Sequence, residues 1–263
     1  MSLLCVGLDP DPAKLPADLA GSSAPLFAFN RRIVDATHDV AAAYKPQIAF
    51  YSALGAEAEL KLSIDYIRER APRALIILDA KRNDIGNTAQ AYAAEAFDRY
   101  SADAVTINPY MGEDSVLPFL ARLERGAILL CRTSNPGARN FQDLQCDGLP
   151  LYRWVARTAA AEWNAKRNLM LVVGATYPQE MSALRAAHPE LSFLVPGIGA
   201  QGGDLEATLA AGLNSEAAGL LLNSSRGIIY AGGGSSGAIR SAALELHDAI
   251  ETGRALHRAS RRA

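Results

Sequence analysis

The sequence predicts a single-domain α/β fold, the (β/α)8 or TIM barrel, because eight short apolar runs alternate with alanine-rich segments of helical periodicity. Eight strand–helix units in about 250 residues fit a barrel, whereas a doubly wound open sheet usually has about five to seven strands and a switch point. No composition shift or long linker divides the 263 residues. We expect the barrel to cover residues 1–256 and the basic tail, residues 257–263, to be a frayed and solvated end.

The predicted strands are short apolar runs of the kind that parallel sheets bury on both faces. They occupy residues 3–8, 40–44, 75–78, 104–107, 127–130, 169–173, 193–195 and 218–222. The clearest helical spacing between them lies in residues 87–100, 151–168, 179–187 and 205–211. Two long irregular segments, residues 135–150 and the glycine tract 231–237, follow strands and therefore belong to the face that carries catalytic groups in barrels.

Composition and charge exclude several classes of protein. With 49% hydrophobic residues, 21% charged residues and a formal net charge of −2, the chain can bury a sizeable core and offers no basic surface for nucleic acid. No run approaches the roughly 18 apolar residues of a membrane span, and Met1 leads directly into the first strand, so we expect a cytoplasmic protein. Cys5, Cys131 and Cys146 lack paired or zinc-ligand spacing, which favours a reducing compartment.

The most informative segment follows the third strand, where an acid, a base and a second acid stand within six residues. Asp79 and Lys81 are two residues apart, so they project to the same side at the carboxyl end of the strand. Asp84 follows on the turn before a helix, where its alternative role is a helix N-cap. Three charges that lose water at such a place need mutual pairing or a charged ligand. The segment therefore predicts a catalytic or binding centre.

Polar residues follow most of the other predicted strands and would converge with this segment at one end of a barrel. Asp9, Lys45, Asn108 and Ser134 stand at or just past the ends of the first, second, fourth and fifth strands. Simple alternatives exist for three of them. Asp9 and Asn108 each precede a proline and would serve as turn residues, and Lys45 would be a surface lysine.

A glycine-rich segment with the spacing G-x-G-x-x-G, residues 197–202, follows Pro196 at the end of the seventh strand. It lies too late in the chain for a dinucleotide fingerprint, and the next strand ends at Asn223 rather than at an acid suited to a ribose. Phosphate binding is the better interpretation, because barrels commonly hold phosphate in the loops after strands 7 and 8. Arg226 adds a forked cation at the same end, although a tight turn with a surface arginine is the alternative.

Five blocks of sequence together resemble the orotidine 5′-phosphate decarboxylase family, and the form D-A-K-R-x-D-I-G-x-T resembles its type 2 bacterial subfamily. The blocks run in matching order over nearly the whole chain and comprise residues 6–10 (VGLDP), 44–46 (YKP), 79–88 (DAKRNDIGNT), 133–137 (TSNPG) and 196–203 (PGIGAQGG). The D-x-K-x-x-D core alone is shared with sugar-phosphate decarboxylases and aldolases on related barrels. The arginine context, residues 224–230, departs from a simple G-R-x-I-Y pattern.

The resemblance implies the decarboxylation of orotidine 5′-monophosphate to uridine 5′-monophosphate in de novo pyrimidine biosynthesis, by a homodimer with shared active sites and without cofactor or metal. It implies an alternating charged tetrad, in which Asp84 reaches into the site of a partner subunit, made of Lys45, Asp79, Lys81 and Asp84. It also implies substrate contacts for Asp9 at a ribose hydroxyl, Ile85 and Thr88 in the neighbour's pocket, Ser134 at the pyrimidine, Pro196, and Gln201 with Arg226 at the phosphate.

The chemistry of this reaction fits the charged residues. Loss of CO2 from C6 of a uracil ring leaves a carbanion in the ring plane, out of conjugation with the carbonyls, so fixed charges must stabilise it. Lys81 fits as the ammonium that pairs with the carbanion and then protonates it. Two alternatives stay open. One is a Mg²⁺-dependent sugar-phosphate decarboxylase or aldolase, against which Lys45 argues because a metal site there would gain from an acid; the other is a non-catalytic barrel that binds nucleotide phosphates.

Overall fold

The computed structural model describes residues 2–19, 21–198 and 203–261. Eight parallel strands close into a barrel, which confirms the predicted fold class. The barrel strands are β1 (Leu4–Leu8), β2 (Ala43–Pro46), β3 (Leu75–Arg82), β4 (Ala104–Ile107), β5 (Gly126–Arg132), β6 (Leu169–Val173), β7 (Ser192–Pro196) and β8 (Leu220–Ser224). They follow chain order around the barrel, and β8 pairs with β1 to close it.

Helices surround the barrel and connect its strands. They are α1 (Pro25–Thr37), α2 (Ala49–Ser52), α3 (Glu57–Arg70), α4 (Gly86–Ala94), α5 (Leu117–Leu120), α6 (Leu151–Thr158), α7 (Pro178–Ala187), α8 (Leu205–Gly212), α9 (Arg226–Ile229) and α10 (Ser236–Ser260). Proline is the first residue of α1 and of α7. Its lack of an N–H costs no hydrogen bond there, because the first N–H groups of a helix have no acceptor within the helix. Asp204 caps α8 by accepting a hydrogen bond from the Ala207 N–H at 3.1 Å. The helix α10 continues to Ser260 and so includes the first residues of the basic tail.

The apolar residues divide into two cores because side chains alternate along each strand. The larger core lies between the barrel and its helices. The smaller one fills the barrel. It contains Ala42, just before β2, and one residue from each strand: Cys5, Ala43, Ile77, Ala104, Ile128, Val172, Leu194 and Leu221. Two residues further along β2, β3 and β4, the inward positions become Lys45, Asp79 and Thr106. The packed interior thus ends beneath a polar layer at the carboxyl ends of the strands.

Two of the predicted strand boundaries move by three residues or more. β2 begins at Ala43 rather than at Val40, because the Val40 and Ala41 N–H groups bind the Thr37 carbonyl in the turn after α1. β3 continues four residues beyond the apolar run to Arg82. The segment after β5 adds a small antiparallel hairpin, Gln145–Cys146 with Leu149–Pro150, that was not predicted. In the described part of the chain, no helix is long and apolar enough to cross a membrane.

Candidate active site

Three charged side chains meet at the carboxyl ends of β2 and β3. Asp79 pairs with a lysine on each oxygen: Oδ2 lies 2.7 Å from Lys45 Nζ, and Oδ1 lies 2.6 Å from Lys81 Nζ. Lys45 and Asp79 are buried, with 5% and 6% of their surface exposed. The Lys81 side chain is 47% exposed. The structure therefore brings together three residues of the predicted tetrad, and Lys81 is the one that reaches open space.

The electrostatics of the buried pair keep both partners ionised. Burial alone would lower the pKa of Lys45, but Asp79 and Asp9 outweigh it and raise that pKa above its ordinary value. Burial likewise would raise the pKa of Asp79, yet Lys45 and Lys81 hold it well below its usual range. With two ammonium groups around one carboxylate, the array has a net positive charge at neutral pH. It is suited to an anionic ligand.

The backbone that carries Lys81 is irregular. The pairing of β3 with β4 is interrupted so that residues 79–81 lie opposite the single residue Thr106. Lys81 adopts a left-handed conformation with φ of 46°, which costs a residue other than glycine on the order of 1–3 kcal/mol. The N–H groups of Ala80 and Lys81 both donate to Thr106 Oγ1, each at 3.0 Å. The bulge turns the end of β3 into the mouth of the barrel.

A cavity of about 450 Å³ opens over the array. The loop after β5 forms one wall of it with Ser134, Phe141 and Gln142. Gln142 holds this wall to the barrel, since its Oε1 accepts from the Thr133 N–H at 2.9 Å and its Nε2 donates to Thr133 Oγ1 at 2.8 Å. A side chain at residue 174 would clash with Ser134, because a Cβ there would lie 2.8 Å from Ser134 Cβ. Glycine at position 174 therefore leaves room for Ser134.

Arg132 anchors the same loop from beneath. It is buried at the end of β5, where its guanidinium lies 3.9 Å from the ring centroid of Tyr177. One terminal nitrogen pairs with Asp143 at 3.1 Å, and the other donates to Gln142 Oε1 at 3.4 Å. A buried cation therefore fixes the wall that carries Ser134 to the end of β5.

A smaller cavity of about 190 Å³ adjoins the first and shares Lys45 and Pro196 with it. Asp9 and Arg226 line its other sides. Asp9 Oδ2 accepts a hydrogen bond from Ser225 Oγ at 2.6 Å. Asp9 Oδ1 is buried and has no hydrogen-bond partner among the described residues. That oxygen is available to a hydroxyl group of a ligand in this cavity.

Asp84, Ile85 and Thr88 line neither cavity. Asp84 Oδ1 accepts from the Ile85 N–H at 2.8 Å, and no ion pair within residues 2–19, 21–198 and 203–261 involves Asp84. The N-cap interpretation of Asp84 is wrong, because α4 begins at Gly86 without a side-chain cap. Ile85 and Thr88 are exposed. Gln201 lies outside the described residues.

Two polar residues that organise the site were not predicted from the sequence: Thr106 and Gln142. Thr106 is the single polar side chain in the apolar run of β4, which is the signal that could have pointed to it. Asn108 was the residue singled out at this strand, and its turn interpretation is confirmed, since its Oδ1 accepts from the Tyr110 N–H at 3.0 Å.

The fold and the array together define the class of this protein: a (β/α)8-barrel enzyme whose charged groups stand at the carboxyl ends of β2 and β3. A family model described as orotidine 5′-phosphate decarboxylase / HUMPS family matches residues 2–241. The chain belongs to this family, which confirms the resemblance seen in the sequence blocks. Among the described residues, no group of three or more His, Cys, Asp or Glu side chains is placed to hold a metal ion.

Named relatives agree with the family match. The chain is 54% identical over 258 residues to an orotidine 5′-phosphate decarboxylase of Cellvibrio japonicus (strain Ueda107), which covers 97% of this chain and 94% of the relative. A solved structure of Leishmania donovani OMP decarboxylase is 42% identical with a TM-score of 0.85 and covers 96% of this chain and 94% of that one. Leishmania donovani UMP synthase is 44% identical with a TM-score of 0.87 over 96% of this chain, which spans 54% of that protein.

Proposed function

We propose that this chain decarboxylates orotidine 5′-monophosphate to uridine 5′-monophosphate in pyrimidine biosynthesis, and that Lys81 is the proton donor. The observation that carries the proposal is the array of Lys45, Asp79 and Lys81 beneath a cavity at the carboxyl end of the barrel. The names of the relatives favour this carboxy-lyase reaction over a Mg²⁺-dependent sugar-phosphate enzyme and over a non-catalytic phosphate-binding barrel.

The chemical step follows from where the charges stand. The bond between C6 and the carboxylate breaks, CO2 leaves, and the electron pair stays on C6 in the plane of the ring. An ammonium at fixed distance stabilises that pair and then transfers a proton to C6, which leaves a neutral amine that water reprotonates. Lys81 is suited to both steps because it is the exposed member of the array and Asp79 fixes its Nζ. The step requires no cofactor.

Lys45 and Asp79 support this step rather than perform it. The buried Lys45 holds Asp79 ionised and in one orientation, and Asp79 in turn aims the Lys81 ammonium. Preorganised charges of this kind cost no reorganisation during the reaction.

We assign the smaller cavity to the ribose and phosphate of the substrate. The free buried oxygen of Asp9 supports a hydrogen bond from a ribose hydroxyl, and the guanidinium of Arg226 supports a charge-assisted contact to phosphate, together with Gln201. Ser134 and Pro196 line the larger cavity, where we expect the pyrimidine ring.

We further propose a homodimer with shared active sites in the cytoplasm. Asp84, Ile85 and Thr88 would complete the site of a partner subunit, and their position outside both cavities of their own chain supports this. Ile85 is 47% exposed and borders a surface groove that also contains Leu117. A reducing compartment is supported by the three free cysteines, two of them buried.

The replacement Lys81→Ala tests the proposal directly. We expect the wild-type protein to consume orotidine 5′-monophosphate without added cofactor and with EDTA present, measured as loss of orotidylate absorbance. In Lys81→Ala, kcat should fall by more than about 1,000-fold because the proton donor and its charge are both lost. Binding of uridine 5′-monophosphate, measured by calorimetry, should persist.

Lys61→Ala is the matched control, because Lys61 is a half-exposed lysine of α3 whose partner among the described residues is the neighbouring carboxylate of Asp65. Turnover of wild-type magnitude in Lys81→Ala would refute the assignment of the proton donor. Wild-type protein that binds the nucleotide without turnover would support the non-catalytic barrel, and full inhibition by EDTA would support the metal-dependent alternative.

A further inference from the structure

We propose that Thr106 is a positioning residue for the decarboxylation: its hydroxyl fixes both the carboxylate of Asp79 and the backbone of Lys81. This inference rests on the proposed function and deepens it. Thr106 is 1% exposed and lies on β4, one strand away from the charged array. Nothing in the reaction itself requires a hydroxyl at this place, so its role is argued from its bonds.

The hydroxyl of Thr106 takes part in three hydrogen bonds. It donates to Asp79 Oδ1 at 2.8 Å, and it accepts from the N–H groups of Ala80 and Lys81 at 3.0 Å each. A threonine hydroxyl has one hydrogen and two lone pairs, so these bonds use its full capacity. The direction of each bond is therefore determined, because the two amides can only donate and the ionised carboxylate can only accept.

The hydrogen bonds to Thr106 Oγ1 take the place of backbone hydrogen bonds that the bulge interrupts between β3 and β4. Since residues 79–81 lie opposite Thr106 alone, the bulge presents more N–H groups than the β4 backbone can accept. The side chain of Thr106 supplies the acceptor that the ladder lacks. It thereby stabilises the left-handed conformation of Lys81, which a lysine rarely adopts without such support.

The consequence concerns the position of the ammonium. Asp79 Oδ1 receives both the Thr106 hydroxyl and the Lys81 Nζ, while Oδ2 receives Lys45. The carboxylate is thus held from three directions, and Lys81 is held at both its backbone and its tip. Without the hydroxyl, the bulge and the carboxylate would each lose a restraint. A displacement of about 1 Å at a reacting group costs on the order of 100-fold in rate.

The test compares Thr106→Val with Thr106→Ser. Valine keeps the shape of the side chain and removes the hydroxyl, whereas serine keeps the hydroxyl. We expect kcat for orotidine 5′-monophosphate to fall by about 100-fold in Thr106→Val, with KM and the Kd of uridine 5′-monophosphate within about threefold of wild type. In Thr106→Ser, kcat should stay within about fivefold of wild type, because the acceptor and donor remain.

Thr208→Val is the matched control. Thr208 is a fully buried threonine of α8 whose hydroxyl donates to the Asp204 carbonyl at 2.6 Å, and it lines neither cavity of the site. A loss of general stability from a buried hydroxyl should lower the melting temperature in both valine variants but lower kcat only in Thr106→Val. Circular dichroism verifies that each variant is folded, and Thr106→Ala replaces Thr106→Val if valine prevents folding.

Three results would overturn the inference: kcat within threefold of wild type in the folded Thr106→Val or Thr106→Ala protein, a loss in Thr106→Ser as large as that in Thr106→Val, or a rise in KM with unchanged kcat. Failure of the proposed function is distinguishable from all three, because the wild-type protein itself would then fail to consume orotidine 5′-monophosphate.

Discussion

Asp79 forms ion pairs with two lysines, Lys45 and Lys81, within one layer of side chains. Lys45 is enclosed at the level where the packed interior of the barrel ends, so its charge depends on the carboxylate 2.7 Å away. Breaking a buried ion pair by removing one partner commonly costs about 3–5 kcal/mol, because the remaining charge is left without compensation. The proposed catalytic array is therefore also a point on which the stability of the fold depends.

This dependence predicts how stability changes with pH. The pKa of Asp79 is lowered in the folded state, so its stabilisation is complete above the unfolded value of about 4 and declines as pH falls below it. The pKa of Lys45 is raised, so its stabilisation is complete below the unfolded value of about 10.4 and declines as pH rises toward the folded value. The contribution of the pair is therefore constant through neutral pH.

Asp79→Asn tests this prediction by urea unfolding. We expect the wild type to be more stable than the variant by about 3–5 kcal/mol at pH 7, and this difference to narrow by roughly 1 kcal/mol at pH 3, since each pH unit below the unfolded pKa is worth about 1.4 kcal/mol. Asp65→Asn, at an exposed pair with Lys61, should change stability by less than about 0.5 kcal/mol. A difference between Asp79→Asn and wild type that is equal at both pH values would contradict the prediction.

At the scale of elements, the eight strands could be predicted because parallel strands are buried on both faces and read as uninterrupted apolar runs. The end of β3 could not be predicted in the same way. Three of its last four residues, 79–82, are charged, and they extend the strand through hydrogen bonds to β4 and to the residues just after β2. Short helices such as α2, α5 and α9 span one turn each, and too few residues define their periodicity.

The charged residues of the site could be predicted from the sequence, because residue type and position were enough to identify them. Lys45, Asp79 and Lys81 are charged residues at the ends of buried strands. A charge that loses water there needs an ionic partner or a charged ligand to offset the cost. Thr106 and Gln142 act through hydrogen bonds to neighbouring elements, so their roles depend on register and loop geometry that the sequence does not state. Asp84 belongs to neither cavity of its own chain, and its role rests on the family resemblance.

Arg185 shows how the opposite end of the barrel is held. Its guanidinium is buried between α7, α8 and the starts of β7 and β8, and it donates to backbone carbonyls of Gly212, Leu191 and Gly219 at 2.8, 2.5 and 2.9 Å. Burial lowers the pKa of Arg185 to about 10, and Glu190 opposes this shift only in part. The group remains charged at neutral pH and cross-links loops far from the catalytic face.

Arg185→Met should therefore separate stability from activity. We expect the free energy of unfolding to fall by about 3 kcal/mol, because several buried carbonyls lose a charged donor while the stem of the side chain is kept. At 25 °C, kcat and KM should stay within about twofold of wild type. Arg73→Met, at an exposed arginine, should change neither property. A large loss of kcat in Arg185→Met at full folding would show that this end of the barrel is coupled to the site.

The whole molecule exposes apolar side chains beside the catalytic face. The segment after β4 exposes Tyr110, Met111 and Leu117, and Tyr110 has 82% of its surface accessible. A groove nearby is bordered by Ile85, Leu117 and Pro118. Exposed apolar side chains grouped on one segment are typical of an interaction surface, and a second copy of the chain is the occupant that the proposed dimer supplies.

Mixing two inactive variants tests whether subunits share their sites. In the proposed dimer, Lys81 of one subunit works with Asp84 of the other, so Lys81→Ala and Asp84→Ala homodimers should both be nearly inactive. A mixed dimer contains one site with both residues intact and one site with neither. Equal amounts that pair at random form mixed dimers half of the time, so co-refolding should restore about 25% of wild-type activity.

The control is co-refolding of Lys81→Ala with Asp79→Ala. Both residues are on the same chain and contact each other across 2.6 Å, so no arrangement of these two subunits rebuilds an intact site. Activity should stay absent in that mixture. If the Lys81→Ala and Asp84→Ala mixture also remains inactive while sedimentation shows dimers, Asp84 does not act across the interface. If Asp84→Ala alone retains wild-type kcat, Asp84 is not part of the catalytic array.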